Sequence, residues 1–393
     1  MSDNAGDTLS GSTLMDRFSR AILCFYSISQ IICCYSMLPA SLLQSKQVTF
    51  VLLFSECVSA AGMLCILLCR RVVLGRGSAA IVVVSVAAFI LSWSRCGDAR
   101  LFLNLLALLV ASETEKNACL KALAFSSLAT ISLIIILSLV GVAANVDVIP
   151  NGRLVFAFGF NHPNTFAGLL LCTMCALLYV YWSDSRWVFI CCANGLMALF
   201  SFVALSSNAA AILFAFIGFV SVIGHVFNSF ESSSVLRIAI RVWVAVLPLA
   251  LMAMMAFFAT SYDQTNITLG RINELLHWRP AFAHEYLVRH GGLSMFGDTY
   301  QHLSNIHSGV RFNGVDSGYL YLIFVFGLAS SFCYSLIYEV AAIRWKSNET
   351  MIAIWVICTC LSAYLLVEGY VLYFGANVAL LLLSDAFRRR EAL

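Results

Sequence analysis

The chain has 393 residues, 61% of them hydrophobic and 11% charged, with a mean hydropathy of +0.90 and a formal net charge of +3. Soluble domains carry about 25% charged residues, so a soluble fold is excluded. The positive residues are scattered between apolar runs, which argues against a nucleic-acid-binding protein. The apolar runs are continuous rather than alternating, which excludes a β-barrel and predicts an all-α polytopic membrane protein.

The first residues, Met1 to Asp16, are polar, and the long apolar run after them predicts an uncleaved first helix. Further runs of about 20 residues predict twelve spans, at 21–39, 48–69, 78–94, 99–112, 121–144, 165–183, 187–206, 209–226, 238–260, 317–341, 350–367 and 369–387; the fourth is short and only Glu368-Gly369 separates the last two, so ten or eleven is the alternative. With the N-terminus in the cytoplasm, 15 of the 23 Lys and Arg fall on the cytoplasmic side and eight on the other. The positive-inside rule then places both termini in the cytoplasm. Most of the 15 cysteines lie within apolar runs, where a thiol acts as a small hydrophobe. No internal repeat or linker divides the chain, so a single domain over residues 1–393 is expected.

Two external segments have room for chemistry, 146–164 and 261–316. The second carries Asp263, Arg271, Glu274, Arg279, Glu285, Arg289, Asp298, Arg311 and Asp316, with His277, His284, His290, His302 and His307. Pro280 and Gly291 bracket a helical pattern in it, and Arg271, Glu274 and Trp278 share a face at helical spacing. Two short helices lying on the membrane surface are predicted there. The pairs His277/His284 and His302/His307 lack the compact spacing of a helical zinc site. In the first segment, Asn161 or His162 can cap a helix whose first turn holds Pro163, leaving a positive dipole end beside Arg153.

The pattern Arg153-x-x-Phe156-x-Phe158-Gly159-Phe160-x-His162-Pro163-Asn164-Thr165-x-Ala167, followed much later by Asp316-Ser317-Gly318-Tyr319-Leu320-Tyr321-Leu322 and Gly327, resembles the Wzy family of polysaccharide repeat-unit polymerases, which belongs with the O-antigen ligases. Leu269-Gly270-Arg271 and Phe296-Gly297-Asp298 fit the same pattern. The likeness covers the layout of the whole chain, but residues only around 153–168, 269–279 and 296–327. Where the family often has a Ser-Arg pair, this chain reads Ser206-Ser207-Asn208.

The resemblance implies a polymerase in the bacterial inner membrane. It would transfer a glycan from undecaprenyl pyrophosphate to an incoming lipid-linked repeat unit at the periplasmic face, with inversion and without a metal or other cofactor. A chain-length regulator and a flippase are the partners it implies. The residue types suit that chemistry: arginines oppose a pyrophosphate, and Asp or His accepts the proton of the acceptor hydroxyl. Arg271, Arg279 and Arg153 are therefore expected at the pyrophosphate, with Asp316, or else His162, as base. Asn164, His284, Arg289 and Tyr319 are expected to bind substrate. The alternatives are a ligase that passes the glycan to lipid A-core or another acceptor, and, further off, a transporter. Glu56, inside the second span, is a functional residue by default or pairs with Asn104, and Glu368 marks a hairpin between the last two spans.

Overall fold

The structure is a computed structural model that describes residues 4–70, 74–148, 154–226, 233–263, 265–276, 278–290, 292–298, 317–345 and 350–388. The chain is helical almost throughout. Helix α1 (Asn4–Gln30) continues into a π-helical turn, Ile31–Tyr35. It is followed by α2 (Leu38–Leu42), α3 (Ser45–Arg70), α4 (Arg76–Cys96), α5 (Arg100–Ser112) and α6 (Lys116–Leu139). A two-residue antiparallel ladder, β1 (Asp147–Val148) with β2 (Val155–Phe156), precedes α7 (Pro163–Tyr181), α8 (Trp187–Val203), α9 (Asn208–Val226) and α10 (Ser234–Ser261). The polar interlude holds α11 (Ile267–Leu275) and α12 (Arg279–His290), in keeping with the two short helices predicted there. Beyond it come α13 (Gly318–Tyr321), a second π turn (Leu322–Phe326), α14 (Gly327–Arg344) and α15 (Met351–Tyr364).

Among the described residues, eight helices are long and apolar enough to cross a membrane, and α5, α8 and α15 are shorter apolar helices. The chain is thus an all-α, membrane-embedded protein. In the most apolar window of Pro163–Tyr181, 78% of residues are buried, and in that of Gly318–Arg344, 72%; in Ser45–Arg70 the share is 22%. So α7 and the α13–α14 segment form the interior, and α3 lies at the periphery. The end of the bundle where α7 begins and α10 ends is called the loop end below.

The twelfth predicted span is not an α-helix. Residues 369–387 form two 3₁₀ segments, Gly369–Leu372 and Val378–Ala386, joined by extended and turn backbone. Non-helical backbone at membrane depth must be enclosed by protein that takes up its polar groups, and here it is. Asn104 of α5 donates from Nδ2 to the carbonyl of Leu372 (2.7 Å) and accepts from the N–H of Phe374 (2.8 Å). Ser27 donates to the carbonyl of Gly375 at 2.9 Å, and Asn377 donates to that of Val371 at 3.0 Å. Asn104 is therefore committed to this segment; the expected pairing with Glu56 is not made, and Glu56 accepts instead from Gln30 Nε2 at 3.1 Å. Gly375 lies against the Gln30 side chain, where a Cβ would come within about 2.5 Å of it.

At the opposite end, Asp385 is bound by Lys116 and, at 3.2 Å, by Arg388 Nε. Arg344 donates to the carbonyl of Ala386 at 2.9 Å, and Arg388 to that of Thr114 at 3.1 Å. The nine residues of Val378–Ala386 rise about 18 Å at 3₁₀ pitch, close to the roughly 20 Å of the 13-residue α5. The two segments therefore run side by side and are fastened at both ends. A further intrusion occurs at Gly327, where the span of α13–α14 breaks with φ +82°. The first free N–H groups of α14, on Leu328 and Ala329, donate to the carbonyls of Ser294 and Met295, and Asp298 N–H donates to Val325.

Replacing Asn104 with Leu strands a buried carbonyl and a buried N–H, at about 1–3 kcal/mol each. Thermal unfolding in detergent should show Asn104→Leu destabilised by at least about 2 kcal/mol. A melting temperature equal to wild type would mean that the segment is held by packing alone.

Candidate functional site

The two stretches that carry the resemblance, 153–167 and 316–327, are about 150 residues apart in the chain, yet they meet at the loop end on one hub, residues 364–373. From the first stretch, His162 is the N-cap of α7: its Nδ1 accepts from the N–H of Asn164 at 3.1 Å, with Pro163 in the first turn. The carbonyl of Asn164 accepts from Tyr370 (2.7 Å) and Tyr364 (3.1 Å). Gly168, one turn on, makes this possible, because a Cβ there would collide with the Tyr370 hydroxyl. The preceding Phe158–Asn161 acts as a backbone clamp. Phe158 and Gly159 have positive φ, Phe160 bridges to Ser36, and the Asn161 N–H donates to the carbonyl of Tyr35 at 3.1 Å. The aromatic residues of this pattern pack against one another, Phe160 stacking on Phe166 at 4.9 Å.

From the second stretch, the Gly318 N–H donates to the carbonyl of Leu365 at 2.7 Å, and Tyr319 donates to that of Ser362 at 3.1 Å. Tyr319 is buried in packing. Tyr321, two residues on and so on the other side of a helix, points instead at an ion pair. That pair, Asp98 and Arg100, occupies the turn between α4 and α5. Arg100 binds Asp98 through two nitrogens, Nε at 2.9 Å and Nη2 at 2.7 Å. Tyr373 donates to Asp98 at 3.1 Å, and Tyr321 reaches the same oxygen at 3.4 Å. The guanidinium lies 3.9 Å from the ring centroid of Tyr373, a cation–π contact. The Tyr35 ring meets that of Tyr370 at 5.7 Å, and its buried hydroxyl lies beside Arg100.

A continuous tyrosine-lined network therefore links Asn164, Tyr364, Tyr370, Tyr35, Arg100, Asp98, Tyr373 and Tyr321. Both π turns abut it: one ends at Tyr35, and the other follows Tyr321. Such turns are frequent at functional sites. The pair is also recessed. Glu56, which feels the charge of Arg100, lies about 17 Å along α3 from Ser45 at the loop end.

Other predicted residues lie around this network or apart from it. Arg279 donates to the carbonyls of Val367 (2.8 Å) and Leu276 (3.2 Å), leaving its buried Nε without a partner among the described residues. Arg271 is exposed on α11, and His284 meets the carbonyl of Ala259 at 2.8 Å, on the α10 side of α12. Arg289 lies in the last turn of α12. Arg153, Asp316, His277, His302 and His307 lie outside the described residues. The Ser206-Ser207-Asn208 turn holds Ser206 at φ +50° and places Ser207 beside the Tyr364 hydroxyl.

Asp98, Arg100 and the hub lie outside the two long segments in which the sequence places the chemistry. The available signal was an Asp-x-Arg turn beside a span too short to cross a membrane alone. No family model, curated protein or solved structure matches the chain.

Burial by itself would raise the carboxyl of Asp98, but the charge and hydrogen bonds of Arg100, with that of Tyr373, outweigh it and hold the group below its usual range. A depressed carboxyl contributes stability that is complete above its unfolded value, about 4, and is lost as pH falls through the folded one. Wild type should therefore lose thermal stability in detergent as pH falls below about 4. Asp98→Asn, which leaves Arg100 uncompensated, should be about 3 kcal/mol less stable at pH 7, with a flatter acid limb. Parallel acid limbs in the two proteins would remove Asp98 as the titrating group.

Proposed function

We propose that the chain is a glycosyltransferase of the Wzy type in the bacterial inner membrane. It moves a growing glycan from a polyprenyl pyrophosphate carrier to the sugar of an incoming lipid-linked repeat unit, and its loop end faces the periplasm. The observation that carries this reading is the convergence just described: the two stretches bearing the resemblance hold one recessed site around Arg100.

The geometry suits a donor whose leaving group is anionic and whose tail is lipid. Arg100 holds Asp98 through Nε and Nη2 and keeps further N–H groups on Nη1 and Nη2 with which it can meet a phosphate. The tyrosine hydroxyls around it donate hydrogen bonds without adding charge, and enclosure by aromatic rings strengthens each of these contacts. Arg279 is anchored at the mouth with one donor to spare. In the reaction, the acceptor hydroxyl oxygen forms a bond to the anomeric carbon from the face opposite the leaving group. The carbon–oxygen bond to pyrophosphate breaks with its electron pair, and the hydroxyl proton goes to a base. Arginines opposite the departing charge supply the stabilisation that a metal ion supplies elsewhere.

The test is complementation of a strain lacking the protein, with surface glycan resolved by size. Wild type should convert a single-repeat band into a ladder. Arg100→Ala should lose the ladder at matched membrane abundance, and His162→Ala, at the N-cap of α7, should retain it. Long polymer that accumulates on its carrier in the deletion strain would identify a ligase instead. Lipid-linked repeat units trapped on the cytoplasmic face would identify a transporter.

A further inference from the structure

Glu56 is a carboxyl inside a predicted membrane span, on the peripheral helix α3, and the network around Asp98 and Arg100 leaves it unused. An ionisable side chain at such a place is expensive and is retained for a task. One of its oxygens, Oε1, accepts from Gln30 Nε2 at 3.1 Å, and Gln30 is itself fully buried and fixed between Glu56 and Cys34, whose thiol lies 3.3 Å from Gln30 Oε1. Glu56 is only half-buried. The groups that face it are Tyr26, Cys33 and Cys34 on the α1 side, Arg100 of α5, and Asp98 of the preceding turn. Helix α2, which also touches α3, carries no titratable group. The buried hydroxyl of Tyr26, within range of both Glu56 and Arg100, lacks a partner in hydrogen-bond geometry among the described residues.

Two carboxyls thus lie within electrostatic range of Arg100, and they differ in what occupies them. Asp98 is saturated, with both oxygens taken by Arg100 and one also by Tyr373 and Tyr321. A carboxylate so held is a poor proton acceptor, because each hydrogen bond to the charged form stabilises it. Glu56 has one anchored oxygen, partial exposure and an arginine beyond it. That combination fits a general base, which needs fixed orientation and a free lone pair.

Resting on the transferase reading, we propose that Glu56 is the catalytic base of this site. Its carboxylate takes the proton of the acceptor hydroxyl as that oxygen bonds to the anomeric carbon, and polyprenyl pyrophosphate leaves with its electron pair opposite Arg100. Gln30 is a positioning residue that holds the carboxylate toward the recess. Acceptor and donor then enter from the α1–α3 side, where the lipid-facing residues Phe50, Leu53 and Phe54 line the approach.

The experiment uses the full chain reconstituted in phospholipid vesicles, with lipid-linked repeat unit extracted from the deletion strain as substrate. Glu56→Gln should slow polymer formation by about 10²-fold or more while retaining the radiolabelled repeat unit as wild type does. Glu56→Asp should keep part of the rate. The wild-type rate should fall toward acid pH, and the residual rate of Glu56→Gln should be flat over the same range. Gln30→Leu should shift that acid limb, whereas a merely structural Gln30 would leave it in place. A wild-type rate with Glu56→Gln, or an unchanged acid limb in it, overturns the assignment of Glu56 and leaves the transferase reading standing. Absence of polymer with the wild-type protein and this substrate overturns the transferase reading itself.

Discussion

Backbone that is not helical can lie inside a membrane only where protein groups replace the hydrogen bonds that a helix makes with itself. That requirement shapes the loop end of this molecule. The 364–377 stretch is irregular, and Asn104, Ser27 and Asn377 complete its hydrogen bonds. Because that stretch is fixed, Tyr364, Tyr370 and Tyr373 project at set positions, and Asn164, Tyr35, Asp98 and Arg100 are arranged against them. The polar interlude enters the same scheme at Leu365 and Val367, whose carbonyls receive Gly318 and Arg279.

Much of the helical layout was legible in the sequence, since an apolar run of sufficient length has few other structures open to it in lipid. The run predicted at 209–226 is α9 within a residue, and that at 165–183 is α7 within two. Helix α6 begins five residues before the predicted 121, and its first residue, Lys116, is buried and paired with Asp385. The run 369–387 has the hydropathy of a span but contains Gly369, Gly375 and Asn377, and hydropathy does not register where backbone groups find their partners.

The site was less legible, for a different reason. Residues were sought where polar sequence is long, but the ion pair occupies a short turn and gains its surroundings from helices remote in the chain. Tyr319 and Tyr321 are equivalent in a motif, yet a helix sends them to opposite sides, and only Tyr321 reaches Asp98. The Phe-Gly-Phe pattern serves the backbone of Tyr35 and the packing around Phe166. The two stretches that carry the resemblance meet at the loop end, and the tertiary fold decides which side chains face one another there.

The enclosed position of Val378–Ala386 bears on how the protein is made. These residues lie against α14, α5, α6 and α7, all of which precede them in the chain. Their slot is therefore complete only after those helices have left the ribosome and settled in the membrane. A 3₁₀ segment tied by an ion pair to Lys116 is not a unit that lipid alone would hold, so its entry is a capture by protein already in place. Biosynthesis then includes a late step, in which this segment seats between earlier helices and brings Tyr370 and Tyr373 to the waiting Asn164 and Asp98. Until that moment, Arg100 has Asp98 beside it but none of the aromatic enclosure contributed by the hub.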